Sequence, residues 1–592
     1  MKRKQMFKAQ INLILRFLKH LFPYRKKWLV IIILSNATAL LALLNPYLTK
    51  LVIDQGFLNK DLRRFILLGL IAGGIFLINE LLAVTKQFLE QYIKRRVNFD
   101  LQKKLFKHTQ NLSFSWFLEQ STGEQIYKIE NDLSAITGFI TNTLPQAFFI
   151  FTKLLFILVI VFYLQWRMAL VALCLAPVLY IPPYYFSRKI KKVYESLLRN
   201  SESIFTNLDE TLSHIKLIKV FGKEISSIRE YLKKVIVNIR INVKTVRMGM
   251  INSTIIQVTT KAIIGLLSLY GGYQVIKGQL TIGSLAAIMI YLYQLIGLQN
   301  QFASFFHTVT IGLVSCRRIA EVLDQKPKVR EAKGAKNILF TKGQVSFSNV
   351  NFGYKPQELI LKKMSFSIEG GSHIAIAGPS GCGKTTLLNL IARLYDPWEG
   401  EILIDGHNIK DLKFRCLKGQ IGFALQEALL WNDTIENNIS YAKPRATKDE
   451  ILKVAEIAGV DEFTRILPQG YQTVIGEDAC KISEGQKQKI AIARALIKQP
   501  KILILDEAMS SMDSASEEKI ISNIKSSQEA LTLITVSHRL STVMKAGLAY
   551  CFFRPGEMIV GKPQDLKGKN SEFSRLFSGQ EGIFSREEAQ LR

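Results

Sequence analysis

Six long apolar segments dominate the first half of this 592-residue chain and restrict what it can fold into. A bilayer core about 30 Å thick needs roughly 20 apolar residues in each crossing helix. The segments that meet this length lie near residues 28–53, 64–90, 141–165, 167–187, 250–276 and 281–310. Because domains rarely exceed about 250 residues, further units are expected beyond them. The sequence therefore predicts a multi-domain protein that begins with an all-α domain of six transmembrane helices.

Basic residues are concentrated beside these segments. The formal net charge is +30, and residues 1–27 contain nine Lys or Arg and no acid. The connections after the second and fourth segments are long and basic, as in Lys94-Arg95-Arg96 and residues 188–192. By the positive-inside rule, both termini and these connections are cytoplasmic, and no nucleic-acid partner is expected. A signal peptide would also start with basic residues, but the apolar run begins late and lacks a small-x-small cleavage site.

The texture of the sequence divides the chain further. We expect a basic cytoplasmic segment at 1–27, the transmembrane domain at 28–320, a linker at 321–344 and a charged tail at 571–592. Residues 345–570 alternate short strand and helix patterns, which is typical of a soluble α/β domain. The long connections of the first half keep helical periodicity without Pro or Gly clusters, so the membrane helices are predicted to extend well into the cytoplasm.

A phosphate-binding loop follows the strand pattern at 373–377. Its predicted ATP contacts are Gly378, Pro379, Ser380, Gly381, Cys382, Gly383, Lys384, Thr385 and Thr386. Glycines let backbone N–H groups wrap the phosphates, and the following helix presents its positive end. Lys384 would reach the β- and γ-phosphates and the Thr385 hydroxyl would ligate Mg²⁺. We also expect the N–H groups and Lys384 to favour the thiolate of Cys382 and make it reactive.

A second motif follows the apolar run at 502–505. Asp506 and Glu507 end this run, so both carboxylates are expected at the carboxyl end of a strand, where open α/β sheets bind ligands. Asp506 would hold Mg²⁺ through water, and Glu507 would act as the base that orients the attacking water. A solvated acidic pair is the alternative for these two residues taken alone.

The segment Ile482-Ser483-Glu484-Gly485-Gln486 and the residues after it resemble the signature motif of the ATP-binding cassette (ABC) family. Other matches follow the family's order along the chain. Tyr354 resembles its adenine-stacking aromatic, Gln426 its Mg²⁺- and γ-phosphate-sensing glutamine, and His538 its switch histidine. Asp513 lies in a segment similar to the D-loop. The resemblance implies ATP and Mg²⁺ as cofactors, catalytic roles for Glu507, His538 and Gln426, and metal contacts from Thr385, Gln426 and Asp506.

In this family two cassettes close head to tail around two ATP molecules. The resemblance therefore implies that Ser483, Gly485, Gln486 and Asp513 contact the ATP bound by a second half-transporter. All hydrolytic residues are present in one chain, which favours a homodimer. Glu484 stands where the family most often has Gly. It either points away from phosphate in a first helical turn, where an acid suits the helix dipole, or marks an asymmetric heterodimer.

The order of the two halves is similar to that of the family's exporters. Residues 112–117 and 210–219 resemble the two cytoplasmic coupling regions, although each alone also fits an ordinary amphipathic connection. The expected activity is ATP-driven export of an amphipathic lipid, drug or peptide across a bacterial inner membrane. A family member that acts as a regulator is the alternative, but such a chain would be expected to lack Glu507 or His538.

Two lysines within the predicted spans bear on the cargo. Lys153 and Lys261 lie near the centres of the third and fifth segments, where a lysine usually faces a cavity or a partner. Glu80, in the second segment, could pair with one of them. An unpaired lysine would favour an anionic amphipathic cargo. Alternatively, both lysines snorkel to an interface.

Overall fold

The computed structural model describes residues 11–170, 193, 196–197, 200–201, 203–355, 357–476, 481–528, 530–569 and 571–577. These residues form two compact units. The first comprises residues 1–111 with 118–325, and the second comprises residues 112–117 with 326–592. The short segment 112–117 therefore belongs with the second half of the chain.

The regular structure of the first unit, where the structure describes it, is helical. Its named helices are α1 (Arg25–Leu51), α2 (Leu62–Gln110), α3 (Phe114–Leu118, shared with the second unit), α4 (Thr122–Tyr127), α5 (Leu133–Gly138), α6 (Leu144–Leu164), α7 (Ile215–Val220), α8 (Glu224–Ile276) and α9 (Ile282–Asp324). A 3₁₀ turn at Lys19–Tyr24 precedes α1, and a π-helical turn at Val52–Phe57 follows it. Two further π-helical turns connect α4 to α5, at Lys128–Asp132, and α5 to α6, at Phe139–Thr143.

Among the described residues, four helical segments are long and apolar enough to cross a membrane. They are Ile11–Phe57, Leu62–Gln110, Thr122–Leu164 and Glu224–Ile276, and a shorter apolar stretch, Ile282–Leu295, begins α9. These helices contain the first, second, third, fifth and sixth predicted spans, whereas most of the fourth, 167–187, lies outside the described residues. The prediction of a transmembrane helical domain is confirmed.

The long helices continue far beyond the apolar segments. At 1.5 Å per residue, α2 is about 74 Å long and α8 about 80 Å, more than twice the bilayer core. These lengths exceed what a bilayer crossing needs, and the extension of the helices into the cytoplasm stays a prediction. α9 also passes the predicted domain end at residue 320 and stops at Asp324, because neither Gly nor Pro interrupts the sequence between Gly312 and Pro327.

Polar contacts fix the helices of the first unit where they cross. The Tyr291 hydroxyl, in α9, donates to the carbonyl of Leu43 at 2.6 Å. Asp54 accepts from the Thr281 hydroxyl at 2.7 Å and from the Gly283 N–H at 2.9 Å, and thereby caps the start of α9. A Cβ on Gly283 would lie 2.6 Å from the carboxylate of Asp54, so this contact requires glycine.

The second unit contains two β-sheets. Their strands are β1 (Val345–Phe352), β2 (Leu361–Ile368), β3 (His373–Ala377), β4 (Glu399–Ile404), β5 (His407–Asn408), β6 (Ile421–Ala424), β7 (Ile502–Asp506), β8 (Thr532–Val536), β9 (Leu548–Arg554) and β10 (Glu557–Gly561). An antiparallel sheet has the order β2-β1-β4-β5, and a larger sheet has the order β10-β9-β3-β8-β7-β6. Within the larger sheet, β9, β3, β8, β7 and β6 run parallel.

Helices flank these sheets. They are α10 (Lys384–Ile391), α11 (Phe414–Gln420), α12 (Ile435–Ser440), α13 (Lys448–Ile457), α14 (Asp461–Thr464), α15 (Glu484–Leu496), α16 (Ser514–Ser527), α17 (Leu540–Met544), α18 (Pro563–Lys569) and α19 (Ser571–Phe577). Every residue of β3, β7 and β8 is buried, which is why these strands read as continuous apolar runs. The predicted α/β domain is confirmed, and its parallel strands bring their carboxyl ends to one edge.

The segment predicted as the first coupling region packs within this second unit. The Ser113 hydroxyl accepts a hydrogen bond from the N–H of Val329 at 2.9 Å. The ring of Phe114 meets that of Tyr395 edge to face, with centroids 6.2 Å apart. Both contacts lie within the second unit, to which residues 112–117 belong.

Candidate ATP-hydrolysis site

The phosphate loop joins the buried strand β3 to α10. Gly378 has a φ of +150°, and a Cβ there would lie 2.5 Å from the carbonyl oxygen of Phe552. Glycine is therefore required where the loop leaves the strand. Gly383, with a φ of +106°, precedes the first residue of α10. Pro379, Ser380 and Gly381 are exposed at the edge of the sheet, so the loop offers its backbone to a ligand there.

Lys384 lies against the loop that it follows. Its ammonium donates to the carbonyls of Gly378 and Pro379, both at 2.9 Å, and the residue is only 6% exposed. A charge at this depth needs hydrogen-bond partners, and the loop supplies them. The cation is thereby held at the loop, as the motif predicts.

The thiol of Cys382 differs from the prediction. Burial raises the pKa of Cys382 above its usual value, although Lys384 and the backbone N–H groups act in the opposite direction. The residue is 2% exposed. The prediction that the loop favours a reactive thiolate is therefore wrong, because the side chain points into the core rather than toward the ligand side of the loop.

Asp506 is the last residue of β7 and Glu507 follows it. Their two carboxylates lie in different environments. Asp506 is 4% exposed, and burial raises its pKa to about 6, with the charge of Glu507 adding to the rise. Lys384 and a hydrogen bond from Thr385 oppose that rise. Glu507 has a φ of +48°, an uncommon backbone conformation for a residue with a Cβ. The backbone therefore turns sharply directly after Asp506.

Three of the predicted catalytic side chains meet at this point. Gln426 follows β6, Glu507 follows β7 and His538 follows β8, which are neighbouring parallel strands. The Gln426 amide donates to Glu507 Oε2 at 2.9 Å, and His538 Nε2 lies 2.9 Å from Glu507 Oε1. Each oxygen of the carboxylate therefore has its own partner.

Tyr354 lies beside the phosphate loop at the end of β1. Its hydroxyl is 3.2 Å from the Thr386 hydroxyl, and its ring meets that of Tyr395 edge to face at 5.3 Å. The residue is 49% exposed. A half-exposed ring, braced by a second ring and next to the loop, is suited to stacking on a base.

The signature residues form the start of α15. Ser483 caps the helix by accepting from the Gln486 N–H at 3.3 Å, and Gln486 Oε1 accepts from the Ser483 N–H at 2.9 Å. Glu484 is in the first turn, where its carboxylate pairs with Lys487 at 3.2 Å. Across the described part of the chain, none of the hydrogen bonds joins Ser483, Gly485 or Gln486 to the phosphate loop.

Asp513 begins the helix after the catalytic turn. It caps α16 by accepting from the Ser516 N–H at 2.8 Å and the Ser516 hydroxyl at 2.7 Å, which holds the pKa of Asp513 below its usual value. Gln488, which no sequence motif singled out, connects α15 to this turn. Its side chain, 1% exposed, accepts from the Ser511 N–H at 3.1 Å. A glutamine on the otherwise apolar face of a helix was the signal that could have revealed it.

The fold and site define an ATP-hydrolysing domain fused to a transmembrane helical domain. The chain belongs to the ABC transporter family. The model of the ABC transporter transmembrane region matches residues 28–299, and the model of the ABC transporter itself matches residues 361–510. The prediction of an exporter-type half-transporter with ATPase activity is confirmed, and ATP is its nucleotide.

Similar proteins match over almost their whole length. An ATP-dependent lipid A-core flippase of Syntrophus aciditrophicus (strain SB) is 30% identical over 96% of this chain and 94% of its own. A putative multidrug export ATP-binding/permease protein of Staphylococcus aureus (strain bovine RF122 / ET3-1) is 31% identical over 96% of this chain and 99% of its own. The solved structure of a bacterial Atm1-family ABC exporter with ATP bound has a TM-score of 0.83 and 26% identity, covering 95% of this chain and 99% of that one.

Proposed function

We propose that this protein is one half of a dimeric exporter that moves an anionic amphipathic molecule, such as a phospholipid or a lipid-linked glycan, out of the cytoplasm or the inner leaflet. The choice of cargo rests on Lys86 and Lys153, which lie beside the same ring, that of Phe149. ATP hydrolysis would drive the change that exposes the cargo site alternately to the two sides of the membrane.

Hydrolysis rests on the three side chains that meet at Glu507. The hydrogen bond from Gln426 and the contact with His538 hold the carboxylate in one orientation, which suits a base that aligns a water for attack on the γ-phosphate. Positioning of this kind contributes roughly 10²- to 10⁴-fold in rate. His538, one strand further along the sheet, would contact the same phosphate.

The residues proposed for Mg²⁺ fit a hard cation. Thr385, Gln426 and Asp506 offer a hydroxyl, an amide carbonyl and a carboxylate, the oxygen ligands that Mg²⁺ prefers. The hydrogen bond between Thr385 and Asp506 places two of them together. Bound there, Mg²⁺ would neutralise part of the charge on the phosphates. Lys384 and the loop N–H groups would hold the phosphates, and Tyr354 would stack on the adenine.

A second copy of the chain is the proposed partner. The hydrogen bonds at Ser483 lie within α15 and not with the phosphate loop, as expected if the signature serves another chain's ATP. The predicted second coupling region supports a partner as well, since α7 buries none of its residues and Leu217, Val220 and Phe221 are more than half exposed. Because Glu484 is paired with Lys487, we favour a homodimer over an asymmetric heterodimer.

The partner proposal has a direct test. We expect the chain expressed alone to run as a dimer in gel filtration with mass measurement and to hydrolyse ATP. A monomer without ATPase activity would refute the homodimer. For location we propose a bacterial inner membrane with the nucleotide-binding domain in the cytoplasm, because the basic connections flank the apolar helices.

Two lysines on different helices flank one aromatic ring in the first unit. The ammonium of Lys86, in α2, and that of Lys153, in α6, each lie 5.8 Å from the centroid of Phe149. The two charges are therefore no more than twice that distance apart. Phe149 is partly buried and packs against the apolar core of the first unit. Two ammonium groups beside one partly buried ring support a positively charged site rather than a single snorkelling side chain.

Two other charged residues of the predicted spans, Lys261 and Glu80, do not contribute to the site at Phe149. Lys261, in α8, and Glu80, in α2, are exposed, and in the described part of the chain neither Lys153 nor Lys261 forms an ion pair with Glu80. The charge of Lys153 is thus not neutralised by Glu80. An anionic headgroup would supply the missing charge, whereas a neutral drug would not.

The cargo is tested by replacing Lys86 and Lys153 singly with Met, with Lys261→Met as the matched control. ATPase activity is measured in nanodiscs with anionic or neutral lipids. We expect anionic lipids to stimulate the parent protein and the control, and each of the other two variants to lose that stimulation. Equal stimulation of the parent protein by both lipid classes, or undiminished anionic stimulation in both variants, would refute an anionic cargo and favour export of neutral drugs.

A further inference from the structure

An ion pair between the buried Glu517 and the partly exposed Arg539 links the two turns that carry Glu507 and His538. Glu517, in α16, is 5% exposed and accepts hydrogen bonds from Arg539 Nη1 at 2.9 Å and from the Thr542 hydroxyl. Arg539 Nη2 donates to the carbonyl of Ser510 at 2.9 Å. One guanidinium thus joins a helix, the catalytic turn and the turn after β8.

We propose that Arg539 and Glu517 are positioning residues for ATP hydrolysis, which hold the backbone of the His538 turn against that of the Glu507 turn. Arg539 directly follows His538, and Ser510 closes the turn that starts at Glu507 through a 3.1 Å hydrogen bond from its N–H to the Glu507 carbonyl. The guanidinium therefore fixes the separation of two short backbone segments. The contact between the two catalytic side chains depends on that separation.

Neither catalytic side chain is positioned by burial alone. The side chain of His538 is 48% exposed, and that of Glu507 is 19% exposed. A half-exposed imidazole gains little from packing, so its place relative to Glu507 is set by the backbone beneath it. On the other side of the turn, Gln488 holds the Ser511 N–H. Arg539 and Gln488 thus secure adjacent residues of the turn from opposite elements.

The charge on Glu517 is costly at this depth unless it is paired. A buried ion pair contributes little net stability, since desolvation offsets the attraction, but removing one partner leaves an uncompensated charge. The two oxygens of Glu517 are used by different donors, one on each side of the start of α17. The carboxylate thus fixes the guanidinium in the orientation from which it reaches Ser510.

A neighbouring ion pair provides a matched control. Glu518, the next residue of α16, pairs with Lys545 just after α17 at 2.7 Å. This pair spans the same two helices, yet its side chains are 60% and 40% exposed and reach neither catalytic turn. Glu518→Gln removes the same charge from the same helix and leaves the connection through Ser510 intact.

The test compares Glu517→Gln, Arg539→Lys and Arg539→Gln with Glu518→Gln in the full-length protein in nanodiscs. We expect kcat to fall on the order of 10- to 100-fold in Glu517→Gln and Arg539→Gln, the effect of a misplacement of about 1 Å, with KM and nucleotide affinity retained. Arg539→Lys keeps the charge but lacks the forked donors of a guanidinium, so its kcat should lie between those of Arg539→Gln and the parent protein. Glu518→Gln should match the parent protein.

Further measurements separate positioning from folding and from the proposed function. Melting midpoint and elution volume identify misfolded variants. A loss of kcat in folded Arg539→Lys and Arg539→Gln sustains the inference even if Glu517→Gln fails to fold. Parent-like kcat in all three variants, or a loss that merely follows a loss of folded protein, would overturn it. Because the inference rests on the proposed roles of Glu507 and His538, Glu507→Gln is included. Retained turnover there would refute those roles, whereas an inactive Glu507→Gln beside parent-like kcat in Glu517→Gln, Arg539→Lys and Arg539→Gln would refute only this inference.

Discussion

His538 Nε2 lies 2.9 Å from Glu507 Oε1, although the two residues are 31 positions apart in the sequence. They meet because β7 and β8 are adjacent parallel strands and each residue follows the carboxyl end of its strand. Gln426 reaches the other oxygen of Glu507 from β6 in the same way. The sheet topology thus assembles three side chains that the sequence separates, and their removal has specific consequences.

Replacing Glu507 with Gln should almost abolish ATP turnover. The amide preserves the size of the side chain but cannot accept a proton from water, so we expect steady-state ATPase activity to fall roughly 10²- to 10⁴-fold. ATP binding should persist and should trap a closed dimer. Filter binding and phosphate release measure the two properties, with Glu518→Gln as the control. Unchanged phosphate release would show that Glu507 is not the base.

Alkylation should modify Cys382 slowly. Burial raises the pKa of this thiol and keeps it from solvent, whereas Cys416 is partly exposed. In the full-length protein at neutral pH, mass spectrometry after iodoacetamide treatment should therefore find Cys416 labelled before Cys382. Preferential labelling of Cys382 would restore the thiolate that the sequence analysis predicted.

Replacing Glu484 with Gly should have little effect on hydrolysis. The Glu484 side chain is 52% exposed and pairs with Lys487 across one turn, an interaction worth at most about 1 kcal/mol at such exposure. We expect ATPase activity within about twofold of the parent protein and a slightly lower melting midpoint, since glycine weakens a first helical turn. A large increase in activity would indicate that the carboxylate repels phosphate and that the chain is suited to an asymmetric partner.

The stability of the protein should fall below pH 6.5 because of His373. Burial lowers the pKa of this residue in β3 to about 4, with Lys525 contributing. Between an unfolded value of about 6.5 and the folded value, only the unfolded chain takes up the proton, so about 1 kcal/mol of stability is lost per pH unit as the pH falls.

Melting midpoints of the full-length protein test this dependence. The decrease from about pH 7.5 to about pH 5.5 should be smaller in His373→Gln than in the parent protein, and His407→Gln, at an exposed position, should behave as the parent does. An identical decrease in all three proteins would exclude His373 as the cause.

The sequence predicted the parts of the site that local motifs determine. The phosphate loop at 378–386 and the carboxylates at the end of β7 depend on a strand, a turn and a helix that follow one another in the chain, so a short segment contains the full signal. The meeting of Gln426, Glu507 and His538 was implied by the family resemblance and is explained by strand order. The phosphate loop and the two carboxylates required no knowledge of distant packing.

Other features depend on contacts that no local pattern reveals. Cys382 was misjudged because the loop has an inner and an outer side, and only the fold shows which side chain is buried. Arg539 and Glu517 are 22 residues apart on separate elements, and each alone reads as an ordinary surface charge. Lys86 and Lys153 likewise lie beside the same Phe149 ring only because two long helices pack together. Side-chain direction and helix contacts are set by tertiary packing.

The central claim is that ATP hydrolysis by this chain moves an anionic amphipathic molecule across a membrane. The most direct measurement is the movement of fluorescent anionic and neutral lipid analogues between leaflets in proteoliposomes that contain the parent protein, Glu507→Gln, Lys153→Met or Lys261→Met. The account predicts ATP-dependent movement of the anionic analogue by the parent protein and Lys261→Met, and its loss in the other two. Movement that persists in Glu507→Gln, or equal movement of both analogues with no effect of Lys153→Met, would contradict it.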